Sequence, residues 1–222
     1  MRIAFFGGTF DPPHLGHLAI GRAAADRLSL DRVLFAPVGS QPLKQDASTA
    51  SFADRVAMVK LAIREDARFA FSEIDAPRAD GKANYTVDTI SQLKSELGAQ
   101  DHLFCLVGAD SFQSLPHWYR AAELLFACDF IVAGRPGFSL EQAEYILSPL
   151  ACAFAEPARR AGVDSIYLRN HAGQNTTLYL LPDLHEDISA TAVRAALAGP
   201  APNYEALPMP VAEYIRRHHL YR

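Results

Sequence analysis

Residues 1–17 read Met-Arg-Ile-Ala-Phe-Phe-Gly-Gly-Thr-Phe-Asp-Pro-Pro-His-Leu-Gly-His, and they decide the fold of this chain. The apolar run at residues 3–6 predicts a buried parallel strand, and the sequence from Leu15 onward predicts the helix that packs back on it. Gly7 and Gly8 predict a sharp turn with exposed backbone N–H groups, because glycine accepts conformations closed to other residues.

Two histidines stand at the start of the predicted helix. His14 and His17 share one side of its first turn, because residues three apart are neighbours on a helix surface. Gly16 lies between them and carries no side chain to obstruct a phosphate. Helix N-termini attract anions. Each feature alone is more often a turn or a cap, but their ordered combination after a strand predicts a phosphate-handling site.

Length and composition limit the classes of protein that fit. The 222 residues suit a single domain over residues 1–222, with 50% apolar residues and a net charge of −4. No run is long enough to span a membrane, and no signal peptide precedes the first strand, so we expect a cytoplasmic protein without a membrane partner. The negative charge disfavours a nucleic-acid partner. The cysteines at positions 105, 128 and 152 are scattered, which favours reduced thiols.

Apolar strands alternate with amphipathic helices along most of the chain. We predict strands at residues 32–36, 69–72, 102–107, 129–133 and 177–181, and helices at residues 51–63 and 86–97. In the first helix Ser51 is the expected N-cap, and Phe52, Val56, Val59 and Ile63 fall on one face. This alternation predicts an α/β fold, a Rossmann-like doubly wound parallel sheet with helices on both faces. Residues 140–175 predict a helix followed by an irregular connection, and residues from about 188 to 222 predict a small C-terminal helical part. Ligands of such sheets bind beyond the carboxyl ends of the strands.

A second anion-binding pattern reads Ile188-Ser189-Ala190-Thr191-Ala192-Val193-Arg194. Ser189 predicts the N-cap of a helix, and Thr191 and Arg194 then share one face of it. A hydroxyl and a forked guanidinium at the positive end of a helix suit a polyphosphate chain. Alone, the pattern also fits an ordinary capped helix with an exposed arginine.

Both patterns resemble the motifs of the nucleotidyltransferase superfamily, His-x-Gly-His and Ile-Ser-Ser-Thr-x-x-Arg. Ala190 replaces the second serine of the latter, so its hydroxyl is missing here. The resemblance to bacterial nicotinate-nucleotide adenylyltransferases extends nearly end to end. It is carried by residues 7–17, 42–44, 84–89, 108–111, 117–119, 188–194 and 211–215. Leu43 occupies the place of a histidine in the family's Pro-His-Lys loop. Of the two basic residues of that loop, only Lys44 is therefore retained.

The resemblance implies adenylyl transfer from ATP to nicotinate mononucleotide, giving deamido-NAD and pyrophosphate in NAD biosynthesis. Mg²⁺ would enter with ATP, without a dedicated metal site on the protein. The implied catalytic residues are His14, His17, Lys44 and Arg194. The implied ATP-binding residues are Gly7, Gly8, Thr9, Phe10, His17, Gly108, Asp110, Ile188, Ser189, Thr191 and Arg194. The oligomeric state, monomer or homodimer, stays open.

The acceptor site is predicted from aromatic and helix-start residues, with Lys44 as a further contact. Trp118, followed by Tyr119 in a loop-like stretch, offers a plane that can stack on a pyridinium ring. Tyr85 and Thr86, at the start of a predicted helix, offer N–H groups and a hydroxyl to the nicotinate carboxylate. Asp110, past a strand end, can accept hydrogen bonds from a ribose or equally cap a helix.

Other functions fit parts of the pattern. The same fold can transfer the adenylyl group to nicotinamide mononucleotide or to phosphopantetheine, or serve as an inert nucleotide sensor. The intact histidines and arginine argue against the sensor, which would bind ATP without releasing pyrophosphate. A fragment of a class I aminoacyl-tRNA synthetase shares the His-x-Gly-His pattern. That class is disfavoured because the chain has neither a tRNA-binding domain nor a basic charge balance.

Overall fold

Nine strands form one sheet in the part of the chain that a computed structural model describes, residues 1–40, 49–134, 137–155, 157–182, 184 and 188–222. The elements follow the order β1 (Arg2–Gly8), α1 (Leu15–Leu28), β2 (Arg32–Pro37), α2 (Phe52–Ile63), β3 (Phe69–Phe71), α3 (Thr86–Glu96), β4 (His102–Gly108), α4 (Ala109–Gln113), a 3-10 helix (Leu115–His117), α5 (Ala121–Leu125), β5 (Asp129–Ala133), α6 (Leu140–Leu147), β6 (Ala153–Phe154), β7 (Ala158–Arg160), β8 (Val163–Arg169), β9 (Asn175–Leu181), α7 (Ala190–Leu197) and α8 (Met209–His218).

The sheet is doubly wound, as predicted. Its strand order is β3-β2-β1-β4-β5-β9-β8-β6, with β7 also paired to β8. The strands from β3 to β9 along this order are parallel. After β1 the chain builds β2 and β3 on one side and then returns to build β4 and β5 on the other. The order therefore reverses between β1 and β4, which is where such sheets bind ligands.

Both faces of the sheet are covered, and the side chains of β1, β2, β4, β5 and β9 contribute to the cores on both faces. In β1, Ala4 and Phe6 belong to one core with α1, α2, α7 and α8. Ile3 and Phe5 belong to the other core with α3, α5 and α6. Successive side chains of a strand point to opposite faces, so this single strand anchors both layers.

The predicted irregular connection after α6 is wrong. Instead, β6, β7 and β8 lie there and extend the sheet in antiparallel fashion. Ala161 and Gly162, with φ of 52° and 73°, make the tight turn between β7 and β8. Two positive φ values match the turn type that joins short hairpin strands. β7 escaped prediction because it is fully exposed and carries no apolar alternation.

The glycine pair of the first motif does not turn the chain, contrary to our prediction. Gly7 and Gly8 continue β1 and pair with Ala36 and Pro37 of β2. The positive φ of 49° belongs to Phe10. A Cβ on Gly7 would lie 2.6 Å from the Phe5 ring, so this glycine is required for close packing.

The helix starts follow the predicted caps, whereas the buried face of α2 follows the prediction only in part, with Val59 and Ile63 buried. The Ser51 hydroxyl accepts from the Asp54 N–H at 3.1 Å and begins α2. Phe52 and Val56, predicted to face the core, are only half-buried. Arg55 is instead almost completely buried, at 2% exposure. Relative to the predicted face, α2 is rotated so that Arg55 faces inward, where its guanidinium binds the partner described below.

Gly39 generates a prediction for stability. A Cβ at this position would lie 2.4 Å from the backbone nitrogen of Pro77, and neither backbone can withdraw easily. We expect Gly39→Ala to lower the free energy of unfolding by about 1–3 kcal/mol, the usual cost of overpacking. Urea unfolding measures it, with Gly199→Ala as the control because a Cβ there meets nothing within 4 Å. Equal losses in the two variants would contradict the packing argument.

Candidate active site

A cavity of about 570 Å³ lies at the carboxyl ends of β1, β4 and β5. Most predicted site residues line it, namely Gly7, Gly8, Thr9, Phe10, His14, His17, Tyr85, Thr86, Gly108, Asp110, Trp118, Tyr119, Ile188 and Ser189. Thr191 and Arg194 lie on α7 outside this lining. Lys44 and its loop fall outside the described residues. The two phosphate motifs and the aromatic segment therefore meet in a single cavity.

The two histidines stack on each other at the start of α1. Their ring centroids are 3.7 Å apart, with 31° between the planes. The backbone N–H of His14 donates to Nδ1 of His17 at 3.2 Å. Because Nδ1 of His17 accepts, the neutral ring carries its proton on Nε2, where it serves as a donor. Phe10 packs edge-on against the His17 ring, with the centroids 4.9 Å apart.

His14 is buried and uncharged in the free protein. Burial lowers its pKa from 6.5 to about 4. Its Nδ1 has no hydrogen-bond partner among the described residues. Ring nitrogens that are buried without partners are uncommon in folded proteins, and they often mark a functional site.

Gly16 lines the cavity, and its missing side chain also serves the packing around it. A Cβ at this position would lie 3.1 Å from Nδ1 of His14 and 3.4 Å from Cβ of Ile188. The space beside Gly16 is therefore taken by the His14 ring and by the second motif. This glycine lets the two motifs approach each other.

The loop between β1 and α1 is held by two arginines. Nη1 of Arg55 donates to the Thr9 carbonyl at 2.7 Å, and Nη1 of Arg194 donates to the Asp11 carbonyl at 2.8 Å. Burial lowers the pKa of Arg55, and the negative charge of Asp11 opposes that shift. Sequence reasoning missed Arg55, although a charged residue between apolar positions of α2 was a usable signal.

The Asp11 carboxylate is buried and fully engaged. It accepts hydrogen bonds from the Thr49 N–H at 2.6 Å, the Ala50 N–H at 3.2 Å and the Tyr221 hydroxyl at 2.6 Å. Asp11 and Tyr221 are exposed by 2% and 7%. Neither residue was predicted as part of the site, because nothing local in the sequence links positions 210 residues apart.

The second motif caps α7 as predicted. The Ser189 hydroxyl accepts from the Ala192 N–H at 3.2 Å. Nη2 of Arg194 reaches the Thr191 hydroxyl at 3.4 Å, so the two side chains share the predicted face. Arg194 is thus oriented by α7 on one side and by the Asp11 carbonyl on the other.

The start of α3 is fixed by hydrogen bonds to residues that precede the helix. Tyr85 is its N-cap and Thr86 its first residue, as predicted. The Thr89 hydroxyl donates to the buried carboxylate of Asp75. Asn84 accepts from the Ser40 N–H at 3.2 Å and donates to the Ala76 carbonyl at 3.0 Å. These contacts hold the first turn of α3 against the cavity.

Two neighbouring aromatic residues lie in different surroundings. Trp118 is half-buried and lines the cavity, and its indole N–H donates to the Ser114 hydroxyl at 2.9 Å. Tyr119 is 52% exposed, and its ring lies 4.3 Å from that of Tyr85. Only the Trp118 ring is anchored by a hydrogen bond to its own segment.

Asp110 lines the cavity but does not cap α4. Gly108 is the N-cap, and Asp110 is the second residue of the helix. The capping alternative for Asp110 is therefore wrong.

The described residues contain no cluster of three or more His, Cys, Asp or Glu side chains arranged to hold a metal ion. No helix within the described ranges is long and apolar enough to cross a membrane. The three cysteines are free thiols, as predicted. Burial raises the pKa of Cys105 to about 12, so this thiol is not a nucleophile near neutral pH.

Comparison with known proteins identifies relatives along the whole chain. The family model described as cytidylyltransferase-like matches residues 5–196. A protein of Chromobacterium violaceum is 40% identical over 222 residues, covering 100% of this chain and 99% of its own. One of Gloeobacter violaceus is 39% identical, covering 99% and 96%. Both bear the name "Probable nicotinate-nucleotide adenylyltransferase".

Solved structures share the fold. Nicotinic acid mononucleotide adenylyltransferase of Plasmodium falciparum, in a complex with NaAD, has a TM-score of 0.71 at 17% identity and covers 99% of this chain and 97% of its own. At this identity the likeness establishes only the shared fold. Membership in the family is established by the relatives that are similar in sequence. The chain belongs to the cytidylyltransferase-like family and, within it, to the nicotinate-nucleotide adenylyltransferases.

Proposed function

We propose that this protein transfers the adenylyl group of ATP to nicotinate mononucleotide. A phosphate oxygen of the mononucleotide attacks the α-phosphorus of ATP, and the bond from that phosphorus to the α,β-bridging oxygen breaks. The products are deamido-NAD and pyrophosphate, which departs with the electron pair of the broken bond. The observation that carries the proposal is the single cavity that joins the stacked histidines to Tyr85, Thr86 and Trp118.

Catalysis at this site relies on position and charge. The attacking phosphate is already anionic near neutral pH, so the reaction needs no strong general base. His14 and His17 contact the α- and β-phosphates, and Arg194 neutralises charge on the departing pyrophosphate. Lys44 is proposed to neutralise phosphate charge as well. Holding two anions in line supplies most of the remaining rate enhancement.

Backbone groups complete the nucleotide site. Gly7, Gly8, Thr9 and Phe10 line the cavity beside the histidines and offer donors to the phosphates. At its other wall, Gly108 ends β4 and Asp110 lies just after it in α4, where a carboxylate suits the ribose hydroxyls. Ile188 and Ser189 close the adenosine side.

The acceptor binds at the start of α3. The first turn of a helix presents unpaired N–H groups, which suit the nicotinate carboxylate. Tyr85 and Thr86 occupy that turn. The Trp118 ring provides the stacking plane for the pyridinium, and Tyr119 lies next to it.

Mg²⁺ is proposed to enter with ATP. Imidazole and guanidinium groups surround the phosphate position, and these are donors for phosphate oxygens rather than ligands for Mg²⁺. The ion prefers phosphates and water when few carboxylates are offered. Its chemistry would be to reduce charge on the polyphosphate. The cytoplasmic location and the choice between monomer and homodimer stay predictions.

An acceptor competition tests the function. Pyrophosphate release is measured with ATP and Mg²⁺, offering nicotinate mononucleotide, nicotinamide mononucleotide and phosphopantetheine in parallel. Strong preference for nicotinate mononucleotide is expected. Preference for another acceptor would overturn the assigned acceptor site, and ATP binding without pyrophosphate release from any of them would indicate a sensor.

His17 is expected to act mainly on the chemical step. His17→Ala removes an Nε2–H donor from the phosphates and should lower kcat by about 10²–10³, as loss of one oxyanion donor does. Steady-state kinetics measures the change. The control is His171→Ala, an exposed histidine in the turn between β8 and β9. A near-wild-type kcat for His17→Ala would contradict the role of His17 as a phosphate donor.

Trp118 is expected to act on acceptor binding alone. Trp118→Ala should raise the KM for nicotinate mononucleotide about 2- to 30-fold, because a ring–cation contact contributes about 0.5–2 kcal/mol. The KM for ATP should stay unchanged. Tyr145→Ala, at an 82% exposed aromatic residue on α6, is the control. A matching rise in the KM for ATP would mean that Trp118 supports the whole cavity instead.

His14 makes folding sensitive to acid. Its pKa in the folded protein, about 4, lies below the ordinary 6.5, so the unfolded chain binds the proton first. Stability is therefore unaffected by this group above pH 6.5 and falls as the pH drops from 6.5 to 4, by about 3 kcal/mol in total. His14→Asn should flatten this slope in urea titrations at several pH values, whereas His171→Asn should leave it unchanged. An unaltered slope in His14→Asn would contradict the neutral state of His14.

A further inference from the structure

We propose that Tyr221 is a positioning residue for the ATP site, acting on Arg194 through Asp11. The inference rests on the proposed function, since it takes Arg194 to be a phosphate-binding group. Tyr221 lies after α8 and touches no substrate. Its effect passes through one residue, because Asp11 binds Tyr221 with its carboxylate and Arg194 with its carbonyl.

Two short hydrogen bonds, from Tyr221 to Asp11 and from Arg194 to Asp11, form this relay. The Tyr221 hydroxyl donates to Oδ1 of Asp11 at 2.6 Å. The Asp11 carbonyl accepts from Nη1 of Arg194 at 2.8 Å. The Asp11 and Tyr221 side chains are both buried. A shift of the Asp11 carboxylate therefore moves the carbonyl that orients the Arg194 guanidinium.

The backbone after α8 is bent to deliver this hydroxyl. His219, with φ of 56°, makes the left-handed end of α8. Tyr221, with φ of 62°, lies in the left-handed region that bulky residues avoid. The Leu220 N–H donates to the Ile215 carbonyl at 3.1 Å and closes the helix end. Strained residues of this kind persist only where the surroundings hold them. The contact with Asp11 is one such restraint, and it selects the bent conformation.

The hydrogen bond from Tyr221 to Asp11 also affects the charge near the proposed anion site. The Asp11 carboxylate is a negative charge close to a site for polyphosphate. Hydrogen bonds from Tyr221, Thr49 and Ala50 offset that charge, as does the nearby cation of Arg55. Burial, together with the Asp11 contact, raises the pKa of Tyr221 far above its usual range, so its hydroxyl stays a donor at any working pH.

Tyr221→Phe tests the proposal, because it removes only the hydroxyl. The carboxylate then loses one donor, and Arg194 loses part of its alignment. We expect the Kd for ATP, measured by calorimetry without acceptor, to rise about tenfold, because hydrogen bonds to charged groups are strong and part of this loss reaches the nucleotide. The KM for nicotinate mononucleotide should not change, because Tyr85 and Trp118 do not contact this relay.

The chain provides a matched control in Tyr214→Phe. Tyr214 lies on α8, and its hydroxyl donates to Oδ1 of Asp54 at 2.9 Å. This variant also loses a tyrosine–aspartate hydrogen bond that docks α8, but it does not touch Asp11. Its melting temperature should fall while its Kd for ATP stays at the wild-type value. An equal loss of ATP affinity in the two variants would overturn the proposal, since it would mean that α8 acts only by general stability.

A double-mutant cycle separates the relay from a direct effect. If Tyr221 acts through Arg194, adding Tyr221→Phe to Arg194→Lys should weaken ATP binding much less than it does in the wild-type background. Additive losses would overturn the route through Arg194. The readout is ATP binding alone. A wild-type protein that binds ATP but leaves nicotinate mononucleotide unreacted would refute the proposed function while still giving an answer for Tyr221.

Discussion

The interaction on which the site depends is the burial of Asp11 among its hydrogen-bond donors. Its carboxylate joins the chain at Thr49 and Ala50 to Tyr221, which follows α8. Its carbonyl joins the same loop to Arg194 on α7. Leaving such a buried carboxylate without donors costs several kcal/mol, so the segments that supply them are held together. The loop from Thr9 onward is therefore a fixed surface on which the two phosphate motifs meet.

The cavity separates two kinds of recognition. In the proposed function, the stacked histidines at one end offer donors to a polyphosphate, and Arg194, on α7 beyond the cavity lining, adds positive charge. At the other end the start of α3 and the Trp118 ring offer N–H groups and an aromatic plane. His14 is uncharged near neutral pH, because burial lowers its pKa to about 4. Binding at both ends positions the two reacting phosphates, which is the main requirement of a reaction whose nucleophile is already ionised.

Local pattern was enough to predict the elements that bear the motifs, but long-range contacts were not readable from it. The alternation of strands and helices, the caps Ser51 and Ser189 and the start of α3 follow from neighbouring residues. The purpose of Gly16 and the rotation of α2 around Arg55 depend on partners far along the chain. Arg55 and Thr9 are 46 residues apart, and no local spacing records that contact. Of the strands missed after α6, β6 and β7 have only two and three residues, too few to show a periodic pattern.

The family and the motifs were readable from a few spaced residues because anion binding restricts which groups can serve. The central claim is that the α,β-bridging bond of ATP breaks. Incubation with nicotinate mononucleotide and ATP labelled with ³²P at the α- or the γ-position tests it directly. The account predicts that the α-label enters a dinucleotide and that the γ-label leaves as pyrophosphate. Transfer of the γ-label to the mononucleotide would contradict adenylyl transfer.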